Sequence, residues 1–310
     1  MPDNPDARIV CCIGGMTLDS TLKLHEPGIL GTSNPVQSLQ ARGGVARNVA
    51  ENLARLGVSC QLISVVGSDE AGRSILKGTA GQDVDTGLVQ KGLSEPTGTC
   101  TRVMQPDGEL FVSFADMGIC NLMDRDFIQN RWLQIGNATL VFADTNLPAE
   151  SLSYLITGCR EHGLKLVLDA VSTSRARNLP LSLHGVDMLF CNTGEARAML
   201  GDDIAKDVEG MAQALCQRGA ASTIVTAGAD GISFATNEGC IALPAAPARV
   251  VDVSGAGDAL VAGTLYGRLM DYDPVTSLRI GLNAAAMTVA SEGGTCPELS
   301  VEAVTRGLDL

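Results

Sequence analysis

Histidine is scarce in this sequence, and the cysteines follow no pairing pattern. The three histidines, His25, His162 and His184, lie far apart, which argues against a zinc site. The ten cysteines are scattered, except that Cys11 and Cys12 are adjacent in an apolar run, and no CxxC pair occurs. Such cysteines are typical of buried, reduced thiols in a cytosolic protein. We therefore expect no disulfide framework.

Basic charge and long apolar runs are also lacking. The chain has 22 lysines and arginines against 35 aspartates and glutamates, which gives a net charge of −13. Such a field repels nucleic acids and anionic membranes, so neither is an expected partner. No stretch reaches the ~18 apolar residues of a membrane span, and residues 1–8 are polar, unlike a secretory signal. These absences predict a cytoplasmic location.

Two common nucleotide-binding motifs and all linker-like segments are missing as well. Neither GxxxxGK[ST] nor a GxGxxG after the first strand occurs, which argues against P-loop NTPases and dinucleotide enzymes. We find no Pro-rich, Ser-rich or single-charge stretch and no solenoid repeat. The 310 residues are 45 % hydrophobic, so we expect a single α/β domain over residues 1–310 with a small appendage.

Short apolar runs alternate with amphipathic stretches along the chain. The runs predicted as buried strands are Arg8–Ile13, Cys60–Val66, Thr139–Ala143, Leu166–Leu168, Met188–Cys191 and Ser222–Val225. The predicted helices are Val45–Leu56, Glu70–Ala80, Pro148–His162, Asp207–Arg218, Ala256–Met270 and Leu278–Ala290. This alternation predicts a mostly parallel sheet that is covered by helices on both faces.

Two segments interrupt the alternation. Cys100–Met104 and Leu110–Phe114 flank a Pro-Asp-Gly turn and predict a β-hairpin. Thr17–Gln40 has no helical pattern and contains two proline-bearing turns. These segments either pair into a small separate sheet or form two independent surface excursions, and both alternatives stay open.

The segment Asp252-Val253-Ser254-Gly255-Ala256-Gly257-Asp258 leads into a predicted helix that is apolar almost all round. Its glycines permit close backbone approach, and free amides at a helix start bind anions. A carboxylate at the same turn, Asp258, could accept a hydroxyl proton, a contribution of roughly 10²–10⁴ in rate. The alternative is that Asp258 only stabilises the helix start.

Four motifs occur in a fixed order along the chain. They are Gly43–Ala50 with Leu53–Gly57, Asn192-Thr193-Gly194-Glu195, Thr226-Ala227-Gly228-Ala229-Asp230-Gly231, and Asp252–Asp258. In this combination the sequence resembles the ribokinase-like (PfkB) carbohydrate kinases over nearly its whole length. The resemblance implies a ribokinase-like α/β fold, with a mostly parallel central sheet, helices on both faces and a small β-sheet lid formed by about 17–42 and 97–117.

The resemblance also implies roles for the motif residues. Asp258 would be the catalytic base, and the amides of Gly255, Ala256 and Gly257 would form the anion hole. The residues expected at the ATP site are Asn192, Thr226, Gly228, Gly231 and Asn283. By itself, Asn283 could equally be a helix-start residue.

Two cations are implied in the same way. Glu195, with Asn192, would organise Mg²⁺ and the phosphates, although alone it would be interpreted as an exposed acid in a first helical turn. Asp252, the Ser254 carbonyl and the loop Ser291–Thr295 match the place where some family members bind a monovalent cation, K⁺.

The sugar would be held at the lid. Asp19 would accept two hydroxyls of a ribose-like ring, since an ionised carboxylate suits a vicinal diol. Gly43 and Gly44 would let the backbone close over the sugar, and Asn48 would add an amide contact. The lid would exclude water, and a homodimer through the lid is a further expectation from the family.

Within the family, the sequence is most similar to bacterial pseudouridine kinases. The features of that subgroup are Ser33-Asn34-Pro35, Asp116-Met117, Ala143-Asp144 with Asn146, and Asp169 with Val171-Ser172. Ser33 and Asn34 could bind a uracil-like edge, or they could simply form a lid turn. Ala170 stands where proline is expected, and Arg175 stands where lysine is expected, so a planar guanidinium could reshape the base pocket.

The function expected from the sequence is therefore transfer of the ATP γ-phosphate to the 5′-hydroxyl of pseudouridine, with Asp19, Ser33, Asn34, Asn146 and Arg175 among the substrate contacts. The alternative of the same class is a ribokinase-type sugar kinase or another nucleoside kinase. The alternative of another class is a non-catalytic sugar- or nucleotide-binding sensor. Intact Asp258 and Glu195 argue against the sensor.

Overall fold

Strands and helices alternate through residues 8–201 and 207–308, which are the residues that the computed structural model describes. The polar N-terminal stretch predicted from the sequence lies outside these residues, apart from Arg8. Among the helices so described, none has the length and apolarity that crossing a bilayer requires.

The strands and helices are as follows. The strands are β1 (Ile9–Ile13), β2 (Thr17–Leu24), β3 (Val36–Gly43), β4 (Ser59–Ile63), β5 (Val65–Gly67), β6 (Val84–Asp85), β7 (Gln90–Gly92), β8 (Gly98–Met104), β9 (Leu110–Asp116), β10 (Leu140–Asp144), β11 (Leu166–Asp169), β12 (Met188–Asn192), β13 (Ser222–Thr226), β14 (Ile232–Thr236) and β15 (Gly239–Leu243). The helices are α1 (Val45–Arg55), α2 (Glu70–Ala80), α3 (Arg125–Gln129), α4 (Trp132–Gly136), α5 (Ala149–His162), α6 (Thr193–Leu200), α7 (Val208–Gln217), α8 (Ala256–Leu269), α9 (Pro274–Val289) and α10 (Val301–Thr305).

The central sheet has nine strands in the order β15-β14-β13-β12-β11-β10-β1-β4-β6. The pairs from β13 to β6 are parallel, whereas β14 and β15 continue the sheet in antiparallel pairing. The predicted fold class, a mostly parallel sheet, is confirmed. In such a sheet the carboxyl ends of the parallel strands meet at one edge, which is where ligands bind in open α/β folds.

Both faces of this sheet are buried. On β1, Val10 and Cys12 pack into a core that contains α1, α8 and α9, whereas Cys11 and Ile13 pack on the other side against residues of α5 and α7. Side chains alternate between the two faces of a strand, so a strand covered on both sides must be apolar throughout. This explains why the strands appear in the sequence as continuous apolar runs.

The predicted boundaries differ most from the structure in two places. The run Cys60–Val66 forms two strands, because the strand is interrupted at Ser64, whose hydroxyl donates to the Gly14 carbonyl. After this interruption, β5 pairs with β7 outside the central sheet. Helix α9 begins at Pro274, four residues before the predicted start, because the Asp273 side chain accepts from two backbone amides of the first turn. Proline at the first helical position also favours a helix start here, because its fixed φ suits that position and its missing N–H would have no partner inside the helix.

A small four-stranded sheet, in the order β3-β2-β8-β9, accounts for both irregular segments. The predicted hairpin is β8–β9, and Thr17–Gln40 supplies β2 and most of β3. The two segments are joined by parallel pairing of β2 with β8. The alternative of a separate sheet is therefore confirmed, and we call it the small sheet.

Candidate active site

The N-terminus of α8 presents free amides to open space. Gly255 caps the helix with φ +73°, and a Cβ on it would lie 1.9 Å from the Gly294 carbonyl oxygen. Only glycine satisfies both conditions. Among the described residues, no contacting atom lies within 4 Å of where a Cβ on Gly257 would stand. The first-turn amides have no acceptor inside the helix, so this turn can bind an anion.

Asp258 stands in the first turn of α8 and is 8 % exposed. Its Oδ2 accepts a hydrogen bond of 2.5 Å from the Asn48 side-chain amide. Burial raises the pKa of Asp258 to about 6, although the Asn48 hydrogen bond and the charge of Arg47 act in the opposite direction. A carboxylate with this pKa is ionised at neutral pH and is a stronger base than an exposed one.

Three adjoining cavities meet at this turn. A polar cavity of about 560 Å³ lies under the small sheet, and it shares Asp258 with a narrow cavity of about 150 Å³. The narrow cavity shares Gly257 and Thr226 with an apolar cavity of about 540 Å³. The base and the amides therefore lie between two chambers, each large enough for a small ligand.

The polar cavity contains most of the predicted substrate residues. Its lining includes Asp19, Gly44, Asn48, Asn146 and Arg175. Within the two described segments, the Arg175 side chain has no hydrogen-bond or ion-pair partner. The donors of its guanidinium are therefore available to a ligand.

Asp19 lies within β2, and its two oxygens are already engaged. Oδ1 accepts from the Thr17 hydroxyl at 2.6 Å, and Oδ2 accepts from Arg102 at 2.7 Å. Gly43 lies next to this carboxylate, and a Cβ on it would lie 2.2 Å from the carboxyl carbon of Asp19. Gly43 thus makes room for Asp19 as well as for a ligand. Each carboxylate oxygen has a second lone pair, so a diol can still bind.

Arg102 is a site residue that was not predicted from the sequence. It projects from β8 and donates both to Asp19 and to the hydroxyl of Ser254. Burial opposes its charge, but Asp19 nearby raises the pKa of Arg102 above its ordinary value. The residue links the small sheet to the turn before α8. Its position depends on parallel pairing of β2 with β8, for which the sequence gives no local signal.

Ser33 and Asn34 lie outside the cavity lining, in the turn between β2 and β3. The side-chain oxygen of Asn34 accepts from the Ile29 backbone amide at 2.8 Å, and its side-chain NH₂ group donates to the Ile29 and Thr32 carbonyls. These contacts agree with the alternative in which the two residues form a turn. Their contact with a base stays a prediction.

The narrow cavity is acidic. It is lined by Asp169, Glu195 and Asp258 together with Asn192. Glu195 is 5 % exposed, so the interpretation of an exposed first-turn acid is wrong. Asn192 and Glu195 form a reciprocal capping box at the start of α6, with hydrogen bonds of 2.7 to 2.9 Å. Burial raises the pKa of Glu195, although Asn192 opposes this effect.

The donor set of the narrow cavity fits Mg²⁺ held jointly with a nucleotide. No group of three or more acidic, His or Cys side chains is arranged as a metal site in residues 8–201 and 207–308. Mg²⁺ commonly takes only one or two carboxylates, with waters and substrate phosphates as the other ligands. Glu195 and Asn192, beside the anion-binding turn, are suited to that arrangement.

Asp252 connects the two loops predicted to hold a monovalent cation. Its Oδ1 accepts from the Ser254 amide at 2.9 Å and its Oδ2 from the Gly293 amide at 3.2 Å. The carboxylate thus fixes the turn before α8 against the loop that follows α9. Occupation by K⁺ stays a prediction.

The apolar cavity contains the predicted nucleotide loop. Thr226, Gly228 and Gly231 line one side, and residues of α8 and α9 line the other. Asn283 does not belong to this lining; its side-chain amide donates to the Val304 carbonyl at 2.9 Å, while its neighbours Leu282 and Ala285 border the cavity. An apolar chamber of this size suits a purine ring.

Three comparisons bear on the identity of the chain. Residues 8–300 match the family described as pfkB family carbohydrate kinase. The pseudouridine kinase of Escherichia coli is 30 % identical over 94 % of this chain and 94 % of its own length. A carbohydrate kinase from Agrobacterium tumefaciens superposes with a TM-score of 0.81 at 29 % identity, covering 96 % of this chain and 95 % of its own. Arabidopsis thaliana ribokinase complexed with ribose and ATP gives 0.79 at 21 % identity over 93 % and 94 %, a likeness of fold alone.

Proposed function

The chain belongs to the pfkB family of carbohydrate kinases, and from that premise we propose that it transfers the γ-phosphate of ATP to the 5′-hydroxyl of pseudouridine. Membership establishes a kinase that phosphorylates a hydroxyl group of a sugar or nucleoside. The choice of pseudouridine is supported by the likeness to the Escherichia coli enzyme of that name and by the polar cavity under the small sheet.

One observation carries the proposed chemistry: Asp258 and the free amides of Gly255 to Gly257 lie on the same helical turn, between a polar and an apolar chamber. Asp258 would take the proton of the acceptor hydroxyl. The amides would stabilise the negative charge of the transferring group. Because phosphoryl transfer needs little covalent help from the protein, positioning and electrostatics provide most of the acceleration.

The apolar chamber would hold ATP, with its base against α8 and α9 and its phosphates toward Gly257. Kinases of this family use ATP and Mg²⁺. Glu195 and Asn192 would help to hold the metal, and the ATP phosphates and water would supply its other ligands. When bound, Mg²⁺ would neutralise phosphate charge at a cavity that is otherwise acidic.

The polar chamber would hold the nucleoside. Asp19 would accept the two ribose hydroxyls, kept in place by Thr17 and Arg102. Arg175, whose donors have no partner in the described segments, would bind the carbonyl oxygens of the uracil ring. A plain sugar would leave that guanidinium unused, and this is why we favour a nucleoside over ribose.

The small sheet would act as a lid over this chamber. Residues of β2, β8 and β9 line its roof. Closing the chamber would exclude water and so limit wasteful hydrolysis of ATP. A homodimer through this sheet stays a prediction.

Acceptor specificity can be tested with a coupled assay of ADP release over pseudouridine, uridine, inosine, ribose and fructose. We expect pseudouridine to give the highest kcat/KM, and the product to be the 5′-monophosphate by mass spectrometry. Higher kcat/KM on a free sugar would refute the substrate proposal. An absence of turnover on every acceptor would favour the sensor.

The role of Arg175 has a matched control in the same turn. Arg175→Met should reduce the preference for pseudouridine over ribose by roughly 10- to 100-fold, since hydrogen bonds to charged groups contribute about 1.5–3 kcal/mol. Arg177 is exposed and lies outside the cavity lining, so Arg177→Met should leave the preference unchanged. An equal effect of both substitutions would contradict the proposed contact.

A further inference from the structure

Arg47 is a buried cation that contacts Asn48, and Asn48 in turn contacts Asp258. It lies in α1, is 1 % exposed and belongs to none of the cavity linings described above. Its guanidinium donates to the carbonyls of Arg42 and Gly43 and to the side chains of Asn48 and Glu51. A cation in such a place is costly unless every donor is satisfied.

The contact with Asn48 determines which way that amide faces. A guanidinium can only donate hydrogen bonds, so Arg47 must meet the amide oxygen of Asn48. The NH₂ group of Asn48 is then turned toward Asp258, whose Oδ2 it reaches at 2.5 Å. Without Arg47 the amide could rotate and place its oxygen against the carboxylate.

Glu51 anchors the other side of Arg47. The two side chains are 2.5 Å apart, and Glu51 is completely buried. Its second oxygen contacts Arg55 at 2.7 Å and accepts from the Thr295 hydroxyl at 3.1 Å. Replacing a buried ion pair by well-packed apolar residues often leaves stability unchanged or raises it, so stability alone does not account for this pair.

We propose that Arg47 is a positioning residue for phosphoryl transfer, which fixes the amide of Asn48 so that Asn48 holds Asp258 aimed and ionised. The inference rests on the proposed role of Asp258 as the base. A chain of hydrogen bonds runs from Glu51 through Arg47 and Asn48 to Asp258 and so links the base to α1.

Both acidic and basic groups surround Asp258. The acidic groups that face it from other elements are Asp19 of β2, Asp144 of β10, Asp169 of β11 and Glu195 of α6, and the cations are Arg47 of α1, Arg102 of β8 and Arg175. Asp144 and Asp19 raise the pKa of Asp258, and Arg47 lowers it. Removing Arg47 should therefore raise that pKa and move the acid limb of activity to higher pH.

Arg47→Met and Arg55→Met form a matched pair for the test. Each removes one cation from Glu51 in the same helix, but Arg55 has no contact with Asn48. Arg47→Met should lower kcat by roughly 10- to 100-fold with KM changed less than about threefold, by analogy with the loss of residues that orient the ligands of metal sites. Arg55→Met should leave kcat unchanged. Arg47→Lys keeps a donor-only cation and should recover part of the loss.

Arg47→Met leaves Glu51 with one cation fewer and could destabilise the fold. The double variant Arg47→Met with Glu51→Met removes both charges of the buried pair, and it should show the same loss of kcat if Arg47 acts through Asn48. Wild-type kcat in the double variant would overturn the inference.

A readout that needs no substrate is the titration of the Asp258 carboxyl by carbon-13 NMR, assigned through its disappearance in Asp258→Asn. In Arg47→Met the titration midpoint of Asp258 should rise by about one pH unit, whereas in Arg55→Met it should remain at the wild-type value. An unmoved midpoint in Arg47→Met, or an equal shift in both, would overturn the inference. If Asp258→Asn kept its turnover, the proposed base would fail instead, and the NMR result would still decide whether Arg47 controls this carboxylate.

Discussion

Asp258 can act as a base only in its ionised form, and burial brings its pKa to about 6. The ionised fraction is nearly complete above pH 7 and falls as the pH drops through 6. We predict that kcat/KM decreases on the acid side with a midpoint near pH 6, because this ratio reports ionisations of the free enzyme. Initial rates between pH 5 and 9 measure it, and a flat profile from pH 5 to 7 would count against Asp258.

At the scale of residues, the sequence was informative where chemistry is local. Asp258, Gly255 and Gly257 stand within four positions of one another, so one turn brings them together. The role of Arg102 is not predictable from the sequence because its contacts join distant segments of the chain. The contacts of Arg47 are local, but its link to Asp258 passes through Asn48, which contacts a residue 210 positions away. The place of Glu195 in the first turn of a helix is predictable from the sequence, whereas its capping box with Asn192 and its burial are seen only in the structure.

The turn before α8 allows a test with two glycines. Gly255→Ala places a methyl group against the Gly294 carbonyl at positive φ, so we expect a loss of stability of roughly 1–3 kcal/mol and loss of activity. Gly257→Ala meets open space, so its stability should stay within about 1 kcal/mol of wild type while kcat falls, because the methyl group enters the anion site. Urea unfolding and initial rates measure both. Full activity of Gly257→Ala would contradict the anion site.

Arg102 ties the small sheet to the same turn. Arg102→Met leaves Asp19 without its ion-pair partner, so KM for the acceptor should rise by roughly 10-fold, with KM for ATP changed less than about twofold. Arg102→Lys keeps the charge but replaces the planar guanidinium fork by a compact ammonium, so we expect an intermediate KM. Steady-state kinetics with each substrate varied in turn provides the measurement. An unchanged acceptor KM in Arg102→Met would show that this contact does not serve the acceptor.

At the scale of elements, the strands of the central sheet were predictable and the small sheet only partly so. Apolar runs bounded by turns mark strands that are buried on both faces, and β1 and β10 fall within one residue of expectation. The parallel pairing of β2 with β8 joins segments far apart in the chain, and residue patterns do not encode which edges pair. The early start of α9 is set by the Asp273 cap and by Pro274 at the first helical position, whereas the apolar periodicity used for the prediction marks only the later turns.

For the whole molecule, burial of Asp258 has a cost in stability. Its pKa in the folded protein, about 6, lies above the ordinary value of 3.8. The free energy of unfolding therefore carries no penalty from the Asp258 carboxyl below pH 3.8, and the protein loses stability as the pH rises from 3.8 through 6. The loss at neutral pH is on the order of 3 kcal/mol, so Asp258→Asn should be more stable than wild type at pH 7.5, and the gain should shrink at pH 5. Urea unfolding at the two pH values measures it. A variant less stable at pH 7.5 would indicate that the carboxylate is better solvated than its burial implies.

The account depends most on the proton acceptor at the start of α8. The most direct measurement is the single-turnover rate of Asp258→Asn with saturating ATP, Mg²⁺ and the best acceptor. We predict a decrease of roughly 10²–10⁴-fold, with ATP affinity within about twofold of wild type, since Asp258 lies outside the lining of the apolar chamber. A variant that retains more than about a tenth of the wild-type rate would contradict the assignment of Asp258 as the base.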